Sequence, residues 1–154
     1  MANADAVGQF YLDSFGNGRI GVVRAASLAT SGNSVITIPI LSGGLTNAGA
    51  AAGSGAVIVR RVTVSNATGN VATANVAISV ASDGNVAAAN AVVANVVLSN
   101  LTGAGKYQDL TVAGAYGANT AVTGYATQCL YVNINTANAN GTVDIAVYGD
   151  VVSF

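Results

Sequence analysis

The groups in this chain that could do acid–base or metal chemistry are few. They are six aspartates (Asp5, Asp13, Asp83, Asp109, Asp144 and Asp150), one lysine (Lys106), one cysteine (Cys129) and four arginines. Histidine, glutamate and tryptophan do not occur. The aspartates are scattered singly, whereas a paired-carboxylate hydrolase needs two held close together in a cleft, and there is almost no supply of tunable acids and bases. No Gly-x-Ser-x-Gly elbow is present, and no imidazole is there to take a proton from a serine or from Cys129, which reads as a small hydrophobe within a strand. A phosphate loop needs Gly-Lys followed by Ser or Thr, but Lys106 is followed by Tyr107. Asp144 and Asp150 share one strand and could take Ca²⁺ with neighbouring carbonyls, yet no loop carries the aspartate-rich spacing of such sites. The expectation is a protein with no catalytic residue, no cofactor and no metal, and so not an enzyme.

Composition points the same way. Only 7% of the 154 residues are charged, against ~25% in ordinary domains, while 52% are apolar. The polar surface must therefore be built from Asn, Thr, Ser, Gln and backbone. Such a surface repels copies of itself weakly, which suits close assembly. A formal net charge of −1 argues against nucleic acid as a partner. Arg60 and Arg61 are adjacent, but neighbours in a regular strand point to opposite faces and make no patch; a strand end or bulge is the simpler expectation for them. Long uncharged windows exist, such as Gly84 to Gly105, but Asn85, Asn90, Asn95 and Asn100 interrupt this one, so no membrane span is expected. An outer-membrane barrel strand ending at Phe154 fails at Asp150. Met1 to Phe10 has an acid and no apolar core, which predicts a chain made and kept in a cytoplasm unless it leaves within a larger particle.

The elements that would position any site are strands. Thr127 to Asp150 is the stretch the chain is organised around. Leu130, Val132 and Ile134 alternate with Tyr131, Asn133 and Asn135, and Val143, Ile145 and Val147 alternate with Asp144, Ala146 and Tyr148, the two-residue period of half-buried strands. The expected form is a hairpin, turning at Asn138 to Gly141 through positive φ at Asn140 and Gly141. A second hairpin of similar texture is expected from Ala56–Ser65 and Asn75–Ala81, joined by NATGNVATA. Further strands are expected at Arg19–Arg24, at Val35–Leu41 (an edge, because Pro39 lacks an amide for the ladder), near Val92–Ser99 and at Tyr107–Val112. Residues 42–55 and 113–126 read as Gly/Ala-rich loops.

About eight short strands and no helix predict one all-β domain, an antiparallel β-sandwich of jelly-roll-like form over residues 19–154, preceded by an N-terminal arm or short first strand over 1–18. At this length the domain buries roughly 70% of its unfolded surface and needs no disulfide framework.

The second half has a texture of its own. ISVASDG, VVLSNLT, GKYQDLTV and CLYVNINTANANGTVDIAVYGDVV, in that order between Ala56 and Val152, resemble capsid decoration (cement) proteins of tailed bacteriophages. The resemblance implies a structural virion protein on the outside of a phage head, a homotrimer whose partners are the major capsid protein and itself. Such a protein is made in the host cytoplasm and adds contact across the lattice junctions. Candidate interface residues are Phe10, Tyr11 and Phe15 on the arm, Tyr116 and Tyr125 in the late loop, and Tyr131 and Tyr148, which face away from the Leu-Val-Ile side; aromatics are favoured interface anchors, though core packing is an equal alternative for each. Two other functions remain open at this point: a glycan- or host-surface-binding β-sandwich, and a tail or fibre subunit.

Overall fold

The structure, a computed structural model, describes residues 16, 18–31, 35–40, 55–87, 90–113, 127 and 129–153. Those residues form eight strands and no helix: β1 (Gly18–Ser27), β2 (Val35–Pro39), β3 (Gly55–Ser65), β4 (Asn75–Ser79), β5 (Ala91–Val97), β6 (Tyr107–Leu110), β7 (Cys129–Thr136) and β8 (Thr142–Ser153). Each lies where the alternation of Val, Ile and Leu placed one. The strands make two four-stranded antiparallel sheets, β1-β8-β3-β6 and β2-β7-β4-β5, packed as a sandwich. The core between them is aliphatic, with Val57, Val62, Val64, Val76, Ile78, Leu130, Val132, Ile134, Val143, Ile145 and Val147 all at most 1% exposed.

This partition corrects the expected hairpins. β7 and β8 do not pair; β7 lies in the second sheet and β8 in the first, and β3 and β4 are split in the same way. Both connections, 66–74 and 137–141, are arches that cross from one sheet to the other. Alternation fixes which side of a strand is buried, and the inward side of an arch's second strand faces the same core as that of a hairpin's, so the pattern fits either form. Gly141 and Asn140 also play a different part from the one expected. Neither has a positive φ; the non-glycine residues that do, among those described, are Ala25 (50°) and Asn66 (54°).

The two arches that resemble each other in sequence lie against each other in space. Thr68 N donates to Thr142 O at 3.0 Å, and Thr142 N donates to Thr68 Oγ1 at 2.9 Å. A Cβ on Gly69 would stand 2.1 Å from Asn140 O, and one on Gly141 would stand 2.8 Å from Gly69 N, so the glycines permit the backbones to touch. Asn138 ties the arches together: it is buried, its Nδ2 donates to Thr73 Oγ1 at 2.8 Å, its Oδ1 accepts from Asn140 N at 2.9 Å, and its own amide donates to Leu28 O. Asn138→Ala should lower unfolding free energy by about 1–2 kcal/mol, since it removes two part-buried hydrogen bonds that tie the arches; urea titration monitored by far-ultraviolet circular dichroism measures it.

Leu28, Val71, Leu98 and Leu101, none with any exposed surface, plug this arch end of the sandwich. The strand registers place the start of β1, the end of β6, the start of β7 and the end of β8 at the opposite end. Both flanks are closed by short bridges, Gly21 with Ile40 and Val93 with Val112. β2 is an edge strand, as Pro39 requires.

Candidate functional site

The charged strand residues are all in one sheet. Arg19 and Arg24 on β1, Arg60 and Arg61 on β3, Asp109 on β6, and Asp144 and Asp150 on β8 belong to the first sheet; β2, β4, β5 and β7 carry no charge. A bulge between Val59 and Arg61 breaks the alternation, so the adjacent arginines do not take opposite faces as a regular strand would demand, and Val57, Val59, Val62 and Val64 are all still buried. Each arginine is then ion-paired. Arg61 grips Asp109 with two parallel bonds of 3.0 and 2.8 Å, Thr63 Oγ1 donates to the same carboxylate at 2.7 Å, and Arg60 Nε donates to Asp150 Oδ2 at 2.9 Å. The absence of a basic patch therefore has a different cause from the one expected: neutralisation by neighbouring strands rather than separation onto two faces.

Asp144, on β8 between β1 and β3, accepts from Ala25 N at 2.8 Å and from Asn66 Nδ2 at 3.1 Å, with Arg24 Nη1 at 3.6 Å. It thus serves both non-glycine residues that hold positive φ among those described. Asp144 and Asp150 do not converge, and no group of three potential metal ligands exists among the described residues.

The strands of the second sheet carry no charge, and its outer side is rich in asparagine. Asn135 Nδ2 donates to Asn95 Oδ1 across β4, and Asn133 Nδ2 donates to Gly84 O at 3.0 Å. That bond brings the segment after β4 back over its own sheet, which explains why the outward Ala77 and Ser79 are fully buried and small. Gly84 turns there with φ 73°, as Asp83-Gly84 leads one to expect.

A groove of about 670 Å³ opens at the arch end, lined by Ser99, Asn100, Thr102, Gly105, Lys106, Tyr107, Gln108 and Asp109. Tyr107 starts β6 and is 63% exposed, the largest exposure of any bulky apolar side chain among the described residues. Gln108, the next residue, points inward and is 8% exposed; its Oε1 accepts from Asn100 N at 3.0 Å and its Nε2 donates to Val97 O at 2.8 Å. Gln108 therefore pins the 98–106 loop to β6, and Gly105 closes it with φ 77°.

No family model, curated protein or solved structure matches this chain.

Of the seven aromatic candidates, Phe10, Tyr11, Phe15, Tyr116 and Tyr125 lie outside the described residues. Tyr131 and Tyr148 are half-buried and outward-facing. The structure does not bring these two together, because β7 and β8 lie in different sheets and the rings project from opposite sides of the sandwich. Tyr131 stands in register with Thr37 and Ser79 on the neutral sheet. Tyr148 stands between Arg19 and Arg61 on the charged one. Both sit toward the end opposite the arches. Sequence reasoning missed the Tyr107 groove, although YQDL alternates and places Tyr107 and Asp109 outside if Leu110 is inside.

Proposed function

We propose that this chain is a structural virion protein, a jelly-roll cement subunit that binds the outer surface of a bacteriophage capsid as a trimer and stabilises the major capsid protein lattice. The observation that carries the reading is the distribution of charge: the strand charges sit on one sheet and neutralise one another there, leaving the other sheet an uncharged face of Asn, Thr and Tyr. A neutral β-face costs little to desolvate and repels nothing, which suits dense packing on a lattice. The nested pairing, β1 with β8, β2 with β7, β3 with β6 and β4 with β5, is the order of a chain folded in half and rolled, as a jelly roll requires. The texture of residues 56–152 adds the resemblance to cement proteins.

The end opposite the arches is the lattice-facing end in this reading. Tyr131 and Tyr148 lie toward it. Binding to the assembled shell and not to free capsid subunits would stabilise the shell by mass action.

The test is addition of purified protein to phage heads assembled without it, followed by sedimentation. Saturable co-sedimentation and a rise in the temperature of head disruption are expected; a protein that stays in the supernatant at every concentration would end the proposal. Replacing Phe10 and Tyr11 together by alanine should reduce retention roughly tenfold or more, because truncating an aromatic anchor costs ~2 kcal/mol. Thermal unfolding of the isolated domain should not change. Light scattering of the purified protein reports whether the trimer exists off the lattice.

A further inference from the structure

We infer that the groove at the arch end is a carbohydrate site, and that it takes an acidic glycan, with a pyranose ring against Tyr107 and a sugar carboxylate at Lys106. The exposed ring is the first ground. A tyrosine that starts an edge strand and leaves 63% of its surface in water gains nothing from the core, while its flat apolar face and polar tip suit a partner that is itself amphipathic. A pyranose has that character, with a face of C–H groups and an equator of hydroxyls.

The second ground is the inventory of unused hydrogen-bonding groups. Ser99, Asn100, Thr102, Lys106 and Tyr107 line one groove, and none of their side chains bonds to another described residue. Two hydroxyls, an amide, a phenol and an ammonium offer the mixture of donors and acceptors that sugar hydroxyls need. The third ground is the sign of the charge. Both oxygens of Asp109 are occupied by Arg61 and Thr63, so the acid in the wall is already neutralised. Lys106, the chain's single lysine, has no such partner among the described residues, and the free charge of the groove is positive. A carboxylated sugar meets both requirements, and a neutral one meets only the ring.

The groove is also held in shape before any ligand arrives. Gln108 bonds Val97 O and Asn100 N at the entry of the loop, and Leu98 and Leu101 anchor that half in the core, which lowers the ordering cost of binding. Its volume, about 670 Å³, lies in the range of small-molecule sites. Recognition of the sugar does not depend on the capsid reading. Only its orientation does: a subunit anchored through the opposite end would turn Tyr107 outward, toward a cell surface.

The experiment is titration of the isotope-labelled protein with tetragalacturonate, sialyllactose and maltotetraose, read by amide chemical-shift changes. Saturable shifts confined to residues 99–109 are expected with at least one of the two acidic probes, and with maltotetraose at least about tenfold weaker. Tyr107→Ala should abolish them. Lys106→Gln should bring the acidic probe down to the neutral one, with Tyr131→Ala as a control that leaves binding unchanged. The folded spectrum of each variant separates loss of site from loss of fold. Failure of both acidic probes, equal binding of the neutral one, or binding that survives Tyr107→Ala would overturn the assignment. So would a Tyr107→Ala protein that keeps its sugar affinity but no longer stays on phage heads, because the groove would then be a protein-docking surface.

Discussion

Gly149→Ala should lower the unfolding free energy by about 3 kcal/mol and the midpoint of thermal unfolding by roughly 6–12 °C. Gly149 sits on β8 where β3 carries its bulge, in register with Val59 on one side and Gly18 on the other. A Cβ there would stand 1.9 Å from Ile58 O and 3.2 Å from the Cα of Val59. The obstructing atoms are backbone, so no rotamer change relieves the clash. Either β3 and β8 separate locally, breaking the most extensively paired ladder of the fold, or the bulge moves and takes Arg60 from Asp150. Gly69→Ala meets a similar obstacle in Asn140 O at 2.1 Å, but at an arch whose neighbours can shift, and its cost should be smaller. Gly103→Ala is the control: nothing lies within 4 Å of the added methyl, and the change should stay within about 0.5 kcal/mol. Equal stability of the Gly149 and Gly103 variants in differential scanning calorimetry would show that β3 and β8 do not approach as described.

The sequence made every strand legible, because most inward positions are Val, Ile or Leu and alternate with small or polar residues, although Gln108 on β6 and Ala26 on β1 are not. It did not make the sheets legible. Val143, Ile145 and Val147 face the core whether Thr142 follows a hairpin or an arch, and the choice depends on which neighbour pairs with which, a non-local matter. The similarity of residues 66–74 to 135–141 was visible, but its meaning, two arches lying side by side, needed the third dimension. Glycine misled in a specific way. Gly141 suggested a left-handed turn, whereas it is required for close approach, and the left-handed conformation fell to an alanine, Ala25, which no composition rule would select. The candidate site was harder to read: YQDL has a single aliphatic residue, Leu110, to mark its inner side, which leaves little to show that Tyr107 is the exposed one. Its neighbour Gln108 is the buried one.

Ala25 leads to the second large effect. An alanine with φ 50° is strained, and a strand that contains one must be held there by something nearby. The register between β1 and β8 skips from Val23–Ile145 to Ala26–Val143, so Arg24 and Ala25 bulge opposite Asp144, and the Ala25 amide turns onto the Asp144 carboxylate. On the other flank Asn66 leaves β3 in the same left-handed conformation and donates to the second oxygen. One carboxylate, its side chain 15% exposed, therefore fixes the exits of two strands. Asp144→Ala should cost about 1.5–2 kcal/mol, the lower part of the range for hydrogen bonds to a charged acceptor, because both donors sit on exposed residues that water can reach once the carboxylate is gone. Arg24→Ala should cost at most about 0.5 kcal/mol, because that guanidinium is 66% exposed and its attraction is screened by water. The two variants separate a hydrogen-bonding role from an ion-pair role for the same residue. Ala25→Gly should be neutral or stabilise by up to ~1 kcal/mol, since glycine adopts the left-handed conformation without strain. In the double-mutant cycle, Asp144→Ala should cost less on the Ala25→Gly background, because a glycine bulge no longer needs the carboxylate to hold its conformation. Additive effects in denaturant titrations would mean that Asp144 merely accepts a bond and does not hold the bulge.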